Sequence, residues 1–184
     1  SSISKVVEYA NAKREHNAAF FTDKSILNEI MKYLPDIDKD VIHILEPSVG
    51  IGNFIPFIMK KYASAKSIII DVVDIDSDVI SVLKYIISKF TFPDSVTINF
   101  INDDFLLHRF NKRYDLVIGN PPFNKLGSNN NTLKLYRAQA VNKDTTNTFS
   151  FFFEKAVQIS GYVSLIVPKF LLNTPEFRKT REIL

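Results

Sequence analysis

Val41-Ile42-His43-Ile44-Leu45 runs into Glu46-Pro47-Ser48-Val49-Gly50-Ile51-Gly52-Asn53-Phe54, and an apolar-periodic stretch from Ile55 to Tyr62 follows. The first five residues, short and rich in β-branched side chains, read as a buried strand, and the last eight carry helical spacing. Strand, glycine-containing turn and helix in that order make the first unit of a Rossmann-like sheet, with glycine letting a ligand approach the backbone. Two of the chain's five glycines, Gly50 and Gly52, fall in this turn. The three-glycine spacing of a dinucleotide site is absent, which disfavours a pyrophosphate ligand. No glycine-rich run ends in Gly-Lys-Ser or Gly-Lys-Thr, so a phosphate-cradling loop is not supported. The fold class that this stretch sets is α/β.

The next strand, Ser67 to Asp74, ends in an acid about twenty residues past the glycine turn, where a carboxylate accepts the ribose hydroxyls of a nucleoside. Asp74 is the residue expected there, with Asp76 its nearby competitor. A third strand, Val96 to Ile101, leads into Asn102-Asp103-Asp104-Phe105. Asp104 is expected to accept the amino group of an adenine, and Phe105 to lie against its ring. A single acid at a strand end is ordinarily a solvated residue. Polar sets at successive strand ends on one edge of a parallel sheet are different, because ligands bind at that carboxyl edge.

The strand Tyr114 to Gly119 is closed by Asn120-Pro121-Pro122-Phe123. Asn and Pro are ordinary strand terminators, yet this tetrapeptide also suits a planar amine. The nitrogen of an exocyclic base amine is a poor nucleophile, since its lone pair is delocalised into the ring. The Asn120 side-chain oxygen and a backbone carbonyl of the turn can accept both amine hydrogens and localise that pair. The prolines fix the turn that aims those acceptors. Phe123 offers a flat apolar face for a base that has left its stack.

Taken in order, Glu46 to Phe54, Asp74-Ile75-Asp76, Asp104-Phe105 and Asn120-Pro121-Pro122-Phe123 resemble the S-adenosylmethionine-dependent adenine-N6 DNA methyltransferases of bacterial restriction-modification systems. The segment Ala19-Phe20-Phe21-Thr22-Asp23 is similar to the part of those enzymes that packs over the methionine end of the cofactor. The family's commoner Pro is replaced by Asp23, and Thr22 or Asp23 can still cap a helix there. Asn147 to Ala156 resembles the family's helix after the catalytic turn, and Gly161 to Pro168 its fifth strand. Within that helix Phe151 to Phe153 are expected in the core, with Asn147 and Phe149 nearer the cofactor.

The resemblance implies a class I methyltransferase fold, a mostly parallel sheet flanked by helices and lacking its last strands. It implies S-adenosylmethionine as cofactor, held by Phe21, Thr22, Glu46, Pro47, Ser48, Gly50, Gly52, Asn53, Phe54, Asp74, Ile75, Asp104, Phe105 and Asn120. Asn120, Pro121, Pro122 and Phe123 take the catalytic role on double-stranded DNA with its adenine flipped out. The resemblance further implies a separate target-recognition domain, a restriction endonuclease partner, and residence in a bacterial cytoplasm, on the nucleoid when acting. A chain running from Ser1 to Leu184, inside what reads as a helix from Pro175, is expected to be an excerpt lacking that domain.

The 184 residues, 46% hydrophobic, suit a single α/β domain,. Its parts are a helical segment 1–40, a cofactor-binding half 41–110 and a catalytic half 111–184. With no cysteine and no membrane-length apolar run, the expected setting is a reducing cytosol without membrane or thiolate metal,. His16, His43 and His108 are scattered, and no metal is expected. The net charge of +3 is uninformative taken whole. Locally, Asn124 to Lys143 carries Lys125, Lys134, Arg137 and Lys143 with no acid. Rich in Asn, Ser and Thr around Gly127, it reads as a mobile loop, with Lys125, Lys134 and Arg137 expected to meet DNA phosphates. Cytosine-N4, RNA and protein-glutamine amines are alternative acceptors. A non-catalytic cofactor-binding subunit is the alternative outside enzymes, and a nuclease lacks its carboxylate cluster here.

Overall fold

The computed structural model describes residues 24–167 and 169–183. Five strands form one parallel sheet: β1 Val41–Glu46, β2 Ser67–Asp74, β3 Val96–Asn102, β4 Tyr114–Gly119 and β5 Ser160–Leu165. Their order is β3-β2-β1-β4-β5. The chain builds outward from β1 on one side and then on the other, so the crevice at the carboxyl ends of β1 and β4 is the topological switch point. The helices are α1 Lys24–Tyr33, α2 Ile55–Lys61, α3 Ser77–Ile87, α4 Asn131–Gln139, α5 Thr148–Ile159 and α6 Arg178–Arg181.

Alternation along the strands gives the sheet two apolar faces. Ile42 and Ile44, Ile68, Ile70 and Val72, and Leu116 and Ile118 pack with Ile58 of α2 and Leu83 of α3. Leu45, Val73 and Val117 face the other way, onto Phe151, Phe152 and Ala156 of α5. Each fully buried aliphatic side chain contributes about 1.5–3 kcal/mol. The aromatic stripe of α5 serves two clusters. Phe149 stacks on Phe153, four residues later, with ring centroids 6.2 Å apart. That pair packs against Leu171 and Phe177 of the C-terminal turns.

Asp71 on β2 is a buried acid inside this frame. It accepts hydrogen bonds from Tyr114 Oη at 2.6 Å and Asn99 Nδ2 at 2.8 Å, and pairs with Lys112 Nζ at 2.7 Å. Burial pushes its carboxyl up, but the bonds from Lys112, Tyr114 and Asn99 outweigh that and hold it below the usual carboxylate range. A buried carboxylate satisfied by three donors ties β2, β3 and β4 together.

Expected elements and observed ones differ in several places: α2 stops at Lys61 rather than Tyr62, α5 runs on to Ile159, and β5 is Ser160–Leu165 where Gly161 to Pro168 was expected. β1 and β3 each run one residue further, through Glu46 and Asn102. The segment 124–143 is not a plain loop, since it contains α4, capped by the Asn130 side chain on Thr132 N and anchored by the fully buried Leu133. Its Asn-rich start is capping chemistry. The helix expected from Pro175 is a 3-10 turn, Pro175–Phe177, followed by the short α6. Ala19 to Asp23, with Phe21 and Thr22, and Pro168 lie outside the described residues.

Candidate active site

The glycine turn after β1 is held to the end of β2 by two backbone donors. Val49 N donates to Val73 O at 2.9 Å, and Gly50 N to Asp74 Oδ2 at 3.1 Å. Asp74 Oδ1 accepts Asp76 N at 3.1 Å. Gly50 and Gly52 have φ of 55° and 77°, left-handed values that L side chains rarely adopt,. They differ in surroundings. A Cβ on Gly50 would meet nothing within 4 Å, whereas one on Gly52 would lie 2.8 Å from Leu83 Cδ1 of α3. Gly50 therefore opens the turn to a ligand, and Gly52 lets α3 close beneath it.

Asp74, which ends β2, and Asp76, two residues on, have separate tasks. Asp76 Oδ1 caps α3, accepting Asp78 N at 2.9 Å and Val79 N at 3.4 Å. Asp74 faces the glycine turn, and between them Ile75 is 69% exposed. Glu46, which ends β1, is 1% exposed. Its Oε2 finds no hydrogen-bond partner among the described residues. Burial first, and the charge of Asp74 second, push its carboxyl well above the usual range,.

At the end of β3, Asp104 Oδ1 accepts Leu106 N at 2.8 Å, and Oδ2 accepts the Tyr136 hydroxyl of α4 at 2.6 Å. Burial, and then the bond to Asp104, push the Tyr136 phenol up. Two of the residues expected at the cofactor carry buried rings. Phe105 is 2% exposed and stacks on Phe152 at 4.9 Å, so its ring belongs to the core. Phe54, at the N-cap position of α2, is likewise buried. Apolar residues beside a ligand turn also form its floor. Pro47 is buried as well, while Ser48 and Asn53 remain partly accessible on the turn.

The Asn120-Pro121-Pro122-Phe123 turn abuts the glycine turn. A Cβ on Gly119 would lie 3.2 Å from Pro47 Cδ, so the missing side chain is what lets the two turns touch. Asn120 is half-buried there and Pro121 buried. Behind the turn, Thr148 Oγ1 donates to Pro122 O at 2.9 Å and to Asn124 O at 3.2 Å. Asn147 Nδ2 donates to Phe123 O at 3.1 Å. Lys125 and Asn147 form an antiparallel bridge, flanked by Leu126 N to Thr146 O and Thr148 N to Asn124 O. Phe123 packs against the cluster of Phe149, Phe153, Leu171 and Phe177. Phe149 is fully buried in that cluster, and Asn147 caps α5 at 1% exposure, so both lie behind the Asn120 to Phe123 turn.

The three expected phosphate contacts divide. Lys134 is exposed. Lys125 is mostly exposed and lies 3.4 Å from Glu176 Oε2. Arg137 is turned inward, donating to Thr145 O through Nη2 at 3.1 Å, and serves to order the segment. Among the described residues no three His, Cys, Asp or Glu side chains converge to hold a metal ion, and no helix is long and apolar enough to cross a membrane.

A five-stranded parallel sheet of this order, with a glycine turn after its first strand, defines a class I methyltransferase fold. Solved structures bear this out. The methyltransferase subunit of a type I restriction-modification system from Streptococcus thermophilus superposes with a TM-score of 0.64 at 13% identity, over 90% of this chain and 38% of that one. A SAM-dependent O-methyltransferase from Thermotoga maritima gives 0.56 at 14% identity, over 97% and 54%. More narrowly, the chain belongs to the Eco57I restriction-modification methylase family, whose sequence model matches residues 55–184. Among curated relatives, Type II methyltransferase M.AccI of Acinetobacter calcoaceticus is 28% identical over 168 residues, covering 88% of this chain and 29% of that protein. M.VspI of a Vibrio species is 24% identical over 92% of this chain and 41% of its own length. The chain thus spans less than half of the curated relatives it matches.

Proposed function

We propose that this chain is the catalytic core of an enzyme that methylates the N6 amino group of adenine in DNA, using S-adenosylmethionine. The observation that carries this reading is the contact of Gly119 with Pro47, which sets the Asn120-Pro121-Pro122-Phe123 turn against the glycine turn. Acceptors for an amine and a ligand-binding turn then share one crevice.

The residues present fit the cofactor. The buried Glu46 Oε2, without a hydrogen-bond partner among the described residues, suits a cationic methionine end, and Gly50 leaves the backbone of the turn open. Asp74 and Asp104 place carboxylates for ribose and adenine, and Ile75 supplies an exposed apolar surface. When bound, S-adenosylmethionine supplies an electrophilic methyl group. The chain's own work is positioning. Asn120 Oδ1 and the Pro121 carbonyl accept the two amine hydrogens and aim the nitrogen lone pair. Phe123 supports the extruded base. The amine proton becomes acidic as its nitrogen turns cationic, so no base of unusual pKa is needed beforehand. Lys125 and Lys134 supply charge toward phosphates, and target reading falls to other parts of the parent protein. A restriction endonuclease partner belongs to the same reading.

The test is nucleoside mass spectrometry on DNA from a methylation-free host expressing the full-length gene, with and without Asn120→Ala. N6-methyladenine that disappears in the variant is the expected result. N4-methylcytosine would replace the base while keeping the turn's role. Undiminished methylation with Asn120→Ala would overturn the assignment.

A further inference from the structure

We propose that Thr148, seconded by Asn147, is a positioning residue that sets which carbonyl of the catalytic turn receives the substrate amine. The inference rests on reading Asn120 to Phe123 as the amine-holding turn. Prolines at 121 and 122 remove two backbone donors, so the turn cannot hold its own shape through N–H groups. Donors from elsewhere must fix its carbonyls. The residues at the start of α5 do so for three in succession: Thr148 Oγ1 to Pro122 O, Asn147 Nδ2 to Phe123 O, and Thr148 N to Asn124 O. Among the described residues no hydrogen bond is made to the Pro121 carbonyl, which leaves it as the turn's acceptor.

The clamp is stiff because its members are buried and bonded in turn. Asn147 is 1% exposed and Thr148 8%. Asn147 Oδ1 accepts Phe149 N at 3.1 Å, and its own N–H donates to Thr145 Oγ1 at 3.0 Å. Thr145 donates to Glu176 Oε1 at 3.0 Å. Satisfied polar networks of this kind hold a single geometry. Loss of the Thr148 hydroxyl frees the Pro122 carbonyl to rotate, and its neighbour at Pro121 rotates with it.

The experiment uses the full-length enzyme with Thr148→Val, which keeps the shape and removes the hydroxyl, and Thr148→Ser, which restores it. Three quantities are read: single-turnover methyl transfer at saturating DNA and cofactor, S-adenosylmethionine affinity, and fluorescence of 2-aminopurine at the target position, which reports base extrusion. With Val the rate is expected to fall about 10- to 100-fold, the scale of a small misplacement of reacting groups. Affinity and fluorescence should stay unchanged, and Ser should recover most of the rate. An unaltered rate with Val, a rate loss matched by lost cofactor binding, or Ser as impaired as Val would each overturn the clamp. If Val does not fold, Asn147→Asp removes the side-chain donor to Phe123 while keeping the helix cap, and the same readings apply. Asn120→Ala runs in parallel. Should it stay active, the reading of the turn itself fails; should it be dead while Thr148→Val is active, only the clamp fails.

Discussion

Gly119 is the residue on which the contact between the two turns depends. With Pro47 Cδ at 3.2 Å from where its Cβ would stand, Gly119→Ala must push a rigid proline ring or a backbone turn by a few tenths of an ångström. Overpacking of that kind costs about 1–3 kcal/mol. Denaturant unfolding should show that loss, and single-turnover assays a fall in methyl transfer larger than any change in cofactor affinity, because the displaced group is the acceptor turn. At this scale the sequence is legible where chemistry is local. Gly50, Asp74 and Asn120 announce themselves by residue type and place after a strand. Thr148 and Tyr136 do not, since each meets its partner across 26 and 32 residues of intervening chain. Phe54 and Phe105 are harder to read, because an aromatic beside a motif fits a ligand face and a core equally well, and both rings are buried here.

Among the elements, β2 is held by more than its ladders. Asp71 is reached by donors from β3, from β4 and from Lys112 before β4, and its carboxyl is held below 3.8, its ordinary value. A depressed acid contributes stability that is present above that ordinary value and lost as pH falls through the folded one. Asp71→Asn should therefore lower stability at neutral pH while flattening the loss below about pH 4, as read by urea unfolding across pH. A parallel slope in both proteins would exclude Asp71 as the source. β1 to β4 were legible to within a residue, whereas β5, with Ser160, Gly161 and Ser164 in its six residues, ends at Leu165, three short of the expected Pro168. α4 was not legible. Asn130 and Thr132 look like loop composition until the Asn130 side chain is seen capping a helix that buries Leu133. That helix also delivers Tyr136 to Asp104, so an element of the substrate-side segment touches the acid assigned to the cofactor.

For the molecule as a whole, one sheet edge gathers residues from positions 46 to 165 because every strand is parallel and ends on the same side. Alternating strands and helices with a polar group at each strand end made that architecture readable, whereas the support behind the Asn120 to Phe123 turn emerges only when α5 packs on the sheet. One member of the edge gives the molecule a property beyond shape. Glu46 keeps its proton well above 4.5, the ordinary value for such a group. A carboxyl raised in this way favours folding less as pH climbs from the ordinary value through the raised one, since the unfolded chain ionises first. On the proposed reading, in which Glu46 meets the cationic end of the cofactor, capture of the cofactor by the full-length enzyme is expected to release a proton,. Titration calorimetry at a pH above the ordinary value, in two buffers of different ionisation enthalpy, should give two different heats. In Glu46→Gln the two heats should coincide. Equal heats in the parent enzyme would show that Glu46 exchanges no proton when the cofactor binds.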